Sequence, residues 1–103
     1  MIFNETPVFT EDLLELLSDE EYAEFQCYLA DNPLAGELIQ QTGGLRKVRW
    51  SAQGTGKRGG VRVIYYHVTV DFQIRLILIY KKGIQDDLSV EQKKILRQLN
   101  ERW

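Results

Sequence analysis

The sequence is poor in the residues that small proteins use to staple themselves or to hold metals. Cys27 is the only cysteine, so no internal disulfide can form, and a lone thiol agrees with a reducing compartment. With one cysteine and one histidine, His67, a zinc site of the usual Cys/His kind cannot be assembled, and no metal or cofactor is expected. No apolar run approaches the roughly 20 residues of a membrane span; the longest, Leu76–Tyr80, has the length of a strand. The start MIFNETPVF has neither a basic opening nor a long apolar stretch, so no secretion signal is expected and the chain reads as cytoplasmic. Cys27 falls on an apolar helix face and is expected to be a buried, inert thiol.

Charge of one sign is missing from two long stretches. Residues 1–37 hold ten acids and no base, whereas 38–70 hold six bases (Arg46, Lys47, Arg49, Lys57, Arg58, Arg62) and no acid. The net charge of -2 therefore conceals a strong dipole. Two readings fit. The oppositely charged halves simply attract each other on folding, or, since solvated surfaces usually mix signs, the basic segment is a surface for a polyanion; the second is favoured.

What is present suits one small domain over residues 1–103, with 44% hydrophobic and 11% aromatic residues. Ile2–Phe9 suggests an edge strand or ordered arm, since Pro7 argues against a central strand. TEDLLELL (10–17) suggests a short helix with Thr10 as N-cap. Ser18-Asp19-Glu20-Glu21 is a capping box opening a helix from about Asp19 to Ala30, with Tyr22, Phe25 and Leu29 on one face. Asn32-Pro33 ends it. Three strands follow, over Leu45–Ser51, Val61–Val70 and Ile74–Tyr80. The last two are joined by a tight turn at Asp71-Phe72-Gln73, and the first two by the glycine-rich Gln53–Gly60. Ser89–Gln92 repeats the capping box and opens a C-terminal helix whose buried stripe is expected at Leu96, Leu99 and Trp103, with Ile95 beside it. The class is α+β: an N-terminal helical hairpin on a small, mainly antiparallel sheet, followed by a C-terminal helix.

Strand alternation then sorts the cations. Val48 and Trp50 mark the core side of the first strand, so Lys47 and Arg49 point the other way. In the second strand, apolar on both faces and so the most central, Arg62 shares a face with Ile64 and Tyr66. His67 lies on the opposite face and is expected to be a buried, hydrogen-bonded histidine. Like charges gathered on one sheet face repel, and a bound phosphate backbone removes that repulsion. Tyr65, Tyr66 and Tyr80 read mainly as core packing, with a lesser part as stacking surfaces. Gly56-Lys57 resembles the end of a phosphate-binding loop, but Ser51 stands where the first glycine belongs and Arg58 where Ser or Thr should follow.

LRKVRW, a loop with GKRGG, then VRVIYY and a strand ending IYKK resemble the RelE superfamily of bacterial toxins. The SDEEY helix start and TGGLRK turn bring the likeness closest to the HigB branch, including phage-derived relatives, from about Ser18 to the last helix. The resemblance implies a metal-independent endoribonuclease that cuts messenger RNA in the ribosomal A site and is neutralised by a helix-turn-helix antitoxin. It implies catalytic roles for Lys47, Arg49, Arg62 and Lys82. Arg46, Lys57, Arg58, Tyr80 and Lys81 are then expected to bind the RNA around them. The tyrosine common late in such sites is replaced by Asp87 or Leu88, with Tyr80 as a substitute. In that chemistry Arg62 and Arg49 offset charge on the phosphorane, and crowding by other cations favours a neutral amine at Lys47 or Lys82 as base. Two other functions fit the same basic segment: a non-catalytic nucleic-acid-binding module, and a ParE-like gyrase poison on the same fold.

Overall fold

The computed structural model describes residues 1–51, 60–83 and 87–103. Among these, five strands and three helices follow the order β1 (Ile2–Glu5), α1 (Pro7–Leu16), α2 (Asp19–Asp31), β2 (Glu37–Leu38), β3 (Arg46–Trp50), β4 (Val61–Val68), β5 (Gln73–Lys81) and α3 (Val90–Glu101). The sheet runs β1-β5-β4-β3-β2, with β4 at its centre. Three of its pairings are antiparallel, and β1 lies parallel to β5. The expected α+β architecture holds, with an edge strand placed before the helical hairpin.

The first helix starts earlier than Thr10. Thr6 is its N-cap, accepting from the Phe9 backbone N–H at 3.1 Å, and Pro7 occupies the first turn. Proline there lacks only an N–H that would have no helical partner anyway, so it opens α1 instead of interrupting a strand. The buried Thr6 hydroxyl also donates to the Ile77 carbonyl at 2.8 Å, tying the cap to β5. The capping boxes at Ser18 and Ser89 both form as the sequence requires.

Helices α1 and α2 cover one sheet face. Phe9, Leu13, Leu17, Phe25 and Leu29 pack there with Val48, Val63, Tyr65, Ile74, Leu76 and Ile79. The opposite face holds a smaller cluster of Leu45, Ile64, Ile77 and Leu96, the last from α3. A register shift beside Ile64/Tyr65 explains how Ile77 and Leu78 both reach this second cluster, because one extra residue in β5 resets the alternation. The turn between β4 and β5 comprises Thr69–Phe72, with Phe72 in the left-handed region at φ 51.

Three burial expectations are corrected. Only Leu96 of the expected α3 stripe is buried; Ile95, Leu99 and Trp103 are exposed, and Asn100 takes the inner position. The charge partner of Asn100 is the reason. Arg75 donates to its carbonyl and side-chain oxygens, both at 3.1 Å, and lies over the Tyr66 and Trp103 rings at 5.6 and 5.5 Å. Arg75→Ala is therefore expected to lower stability by about 1–3 kcal/mol, read as a shifted urea midpoint with unchanged slope. Cys27 is exposed on the outer side of α2, because Phe25 and Leu29 define the inner one. His67, expected to be buried and hydrogen-bonded, is half-buried, and its enclosed Nδ1 has no hydrogen-bond partner among the described residues.

Candidate functional site

The groove at the β3 edge begins with a loop held by tyrosine. Tyr65, fully buried on β4, donates from its hydroxyl to the Pro33 carbonyl at 2.9 Å and accepts from the Gly36 N–H at 3.1 Å. Arg46 donates to the Gly36 carbonyl at 2.7 Å. Gly36 has to be glycine, since a Cβ would stand 2.8 Å from the Lys47 carbonyl oxygen. The loop so fixed sends β2 along only the first two residues of β3, pairing Glu37 with Lys47 and Leu38 with Arg46. Val48–Trp50 have no described strand on their outer side, and a groove opens there.

That groove has a volume of about 560 Å³ and is lined by Lys47, Arg49, Arg62 and Lys82, with Tyr28, Glu37 and Asp87 among its other walls. The sheet register explains the convergence. Arg49 and Arg62 are directly opposed across β3 and β4, and Arg62 is opposed by Tyr80 across β4 and β5. Lys47 sits one row away, between Glu37 and Ile64. Lys82 follows β5 and is held near by its backbone N–H, which donates to the Gly60 carbonyl at 3.2 Å. Gly60 lies at φ +55, and a Cβ on it would fall 2.1 Å from the Trp50 carbonyl oxygen, so only glycine lets the two strands close here.

All four residues expected to be catalytic thus share one groove. The expected RNA-binding residues that are described do not. Arg46 shares the helix-covered face with Val48 and is engaged with loop carbonyls. Lys81 turns to a separate hollow beside Asp12, Glu15 and Leu16 of α1. Tyr80 packs against the α3-side cluster. Lys57 and Arg58 lie outside the described residues. The sequence also hid two features. Glu37 and Asp87 place carboxylates in the groove, so it is a mixed field of four bases and two acids and not a cluster of cations alone. Both come from segments outside the basic stretch, which is why counting charge along the chain missed them. Tyr28, which stands beside the Phe25/Leu29 face of α2, lines the groove and is 37% exposed. A comparison with models of known protein families finds no match.

Among the described residues no group of three or more His, Cys, Asp or Glu side chains is gathered to hold a metal ion, and no helix is long and apolar enough to cross a membrane. Two tyrosines outside the groove's lining have displaced titration, Tyr65 at the centre of the sheet and Tyr22 beside Glu5 of β1. Burial raises the Tyr65 pKa above its usual 10.0, against the opposing pull of the Gly36 hydrogen bond and of Arg46. Tyr22 is also raised, first by burial and then by its hydroxyl donating to Glu5 at 2.5 Å. Both tyrosines hold their proton more tightly folded than unfolded. Their stabilisation is complete below pH 10.0 and is lost as pH rises through the folded values. Stability measured by denaturant is accordingly expected to fall as pH increases above 10, with a shallower fall in Tyr22→Phe. An equal slope in that variant would refute the assignment.

Proposed function

We propose that this chain is an RNA-cleaving toxin of the RelE type, akin to the HigB branch, acting in the cytoplasm on messenger RNA in the ribosomal A site. A helix-turn-helix antitoxin would neutralise it. The observation that carries the reading is the convergence of Lys47, Arg49, Arg62 and Lys82 on one open groove. The motif resemblance adds to it, as does the cross-strand placing of Arg49 opposite Arg62, which brings two guanidinium side chains to one groove.

In the proposed reaction the RNA 2′-hydroxyl attacks the adjacent phosphorus. A bond forms from O2′ to phosphorus and the bond from phosphorus to O5′ breaks, leaving a 2′,3′-cyclic phosphate and a 5′-hydroxyl. Guanidinium groups of Arg49 and Arg62 offset charge on the phosphoryl oxygens with paired donors. A lysine amine, Lys47 or Lys82, takes the 2′-hydroxyl proton, and a protonated side chain of the groove returns one to O5′.

A reconstituted translation reaction tests the proposal directly, with cleavage of a defined message mapped by primer extension. The expected result is cleavage within ribosome-bound message and arrest of synthesis. Intact message with normal synthesis would sink the enzymatic reading and leave the groove as a docking surface. DNA damage in induced cells whose translation continues would point to gyrase.

A further inference from the structure

We propose that Tyr28 is a base-stacking residue of the groove, so that one nucleotide of the bound strand lies unpaired against its ring while the neighbouring phosphates meet the cations. The inference rests on the RNA reading above and adds to it the residue that receives a base. Three aromatic rings run from the core to the rim of the groove. Phe25 is fully buried, and its ring meets Trp50 edge-on at 5.5 Å and 62°. Trp50 in turn lies 5.3 Å from Tyr28, tilted by 37°. The indole N–H of Trp50 is enclosed with no hydrogen-bond partner among the described residues, so ring packing is what holds it. Trp50 is a brace, and Tyr28 is the ring that reaches the groove.

The placement of Tyr28 has a chemical consequence. A groove of cations alone serves any phosphate backbone, duplex or single-stranded. An aromatic side chain on the wall of the same groove serves a base only if that base is unstacked and unpaired, because the faces of bases in a duplex are covered by their neighbours. Tyr28 lines the same wall system as Arg49, Arg62 and Lys82, so a base on its ring and a phosphate between the guanidinium groups belong to one short stretch of strand.

The experiment uses the full chain and a short single-stranded RNA carrying 2-aminopurine at one position, scanned along the strand at low salt. Anisotropy reads binding, and quenching of the 2-aminopurine reads stacking. At one position the wild type and Tyr28→Phe are expected to quench. Tyr28→Leu, which keeps an apolar cover over Trp50, is expected to lose the quench and roughly five- to a hundred-fold in affinity. An abasic nucleotide at that position should cost the wild type a similar factor and cost Tyr28→Leu little. If Tyr28→Leu binds and quenches like the wild type, the stacking role is overturned while the RNA reading stands. If the wild type does not bind the strand at all, the stacking proposal falls, and the RNA reading stands or falls with the translation reaction. The abasic strand tests the wild type alone, so equal binding of abasic and intact strands overturns the proposal even where a variant does not fold.

Discussion

Arg62→Ala is expected to lower message cleavage by roughly a hundred- to a thousand-fold while leaving the fold intact. Arg62 stands on β4, the central strand, paired to β3 on one side and β5 on the other. Its Cα is therefore fixed on both sides, and the guanidinium enters the groove from a position that hardly adjusts on binding. Such preorganised charge is worth most where negative charge develops in the transition state. Because the Arg62 head group lines an open groove, the loss of its contacts should change unfolding free energy, read from the urea midpoint, by no more than about 1 kcal/mol. Arg62→Lys keeps the charge but loses the planar fork, and should recover only part of the rate. Cleavage lost with binding retained supports an enzyme. Loss of both in equal measure favours a binding module, and cleavage unchanged in Arg62→Ala removes this residue from the site.

The second large effect is expected from Phe25→Ala, a residue that never touches the groove. Its side chain is fully buried between α2 and the sheet, and its ring supports Trp50. Truncating a buried phenylalanine costs about 3–5 kcal/mol, part from lost transfer and part from the cavity left behind. A domain of this size has roughly 5–15 kcal/mol in total, so the variant should unfold at much lower urea and melt well below the wild type. In the fraction still folded, Trp50 loses its edge contact and Tyr28 loses its brace, so the 2-aminopurine quench should weaken. Phe25→Leu fills more of the space and is expected to restore most of the stability. It restores less of the quench, because a leucine has no ring edge to set the angle of Trp50. A midpoint within about 1 kcal/mol of wild type for Phe25→Ala would show that the ring chain is not built as described.

Much of the molecule is legible residue by residue. The two Ser-x-x-Glu/Gln boxes place the starts of α2 and α3 because each satisfies its own backbone donors locally. β4 is identified as central by apolar residues on both its faces, and the alternation of β3 correctly separates Lys47 and Arg49 from Val48. Thr6 and Pro7 were misjudged, since proline reads as a breaker in a strand and as an opener in a helix, and local sequence does not choose between them. The α3 stripe failed for a different reason. Burial there was decided by Arg75, a cation 25 residues away that required Asn100 as its partner.

The sequence by itself determined the α+β class, the caps of α2 and α3, and the strand faces that set Lys47 and Arg49 on one side of β3. These follow from short-range rules, since capping spans three residues and alternation spans two. Lys82 is reached only through the family resemblance. Tertiary structure alone decided that β1 lies parallel to β5, that β2 stops after two residues and leaves a groove, and that Glu37, Asp87 and Tyr28 join its walls. Each of these depends on contacts between segments far apart in the chain. Pairing energies between distant segments leave no periodic signature in either of them, and only the folded sheet brings them into register.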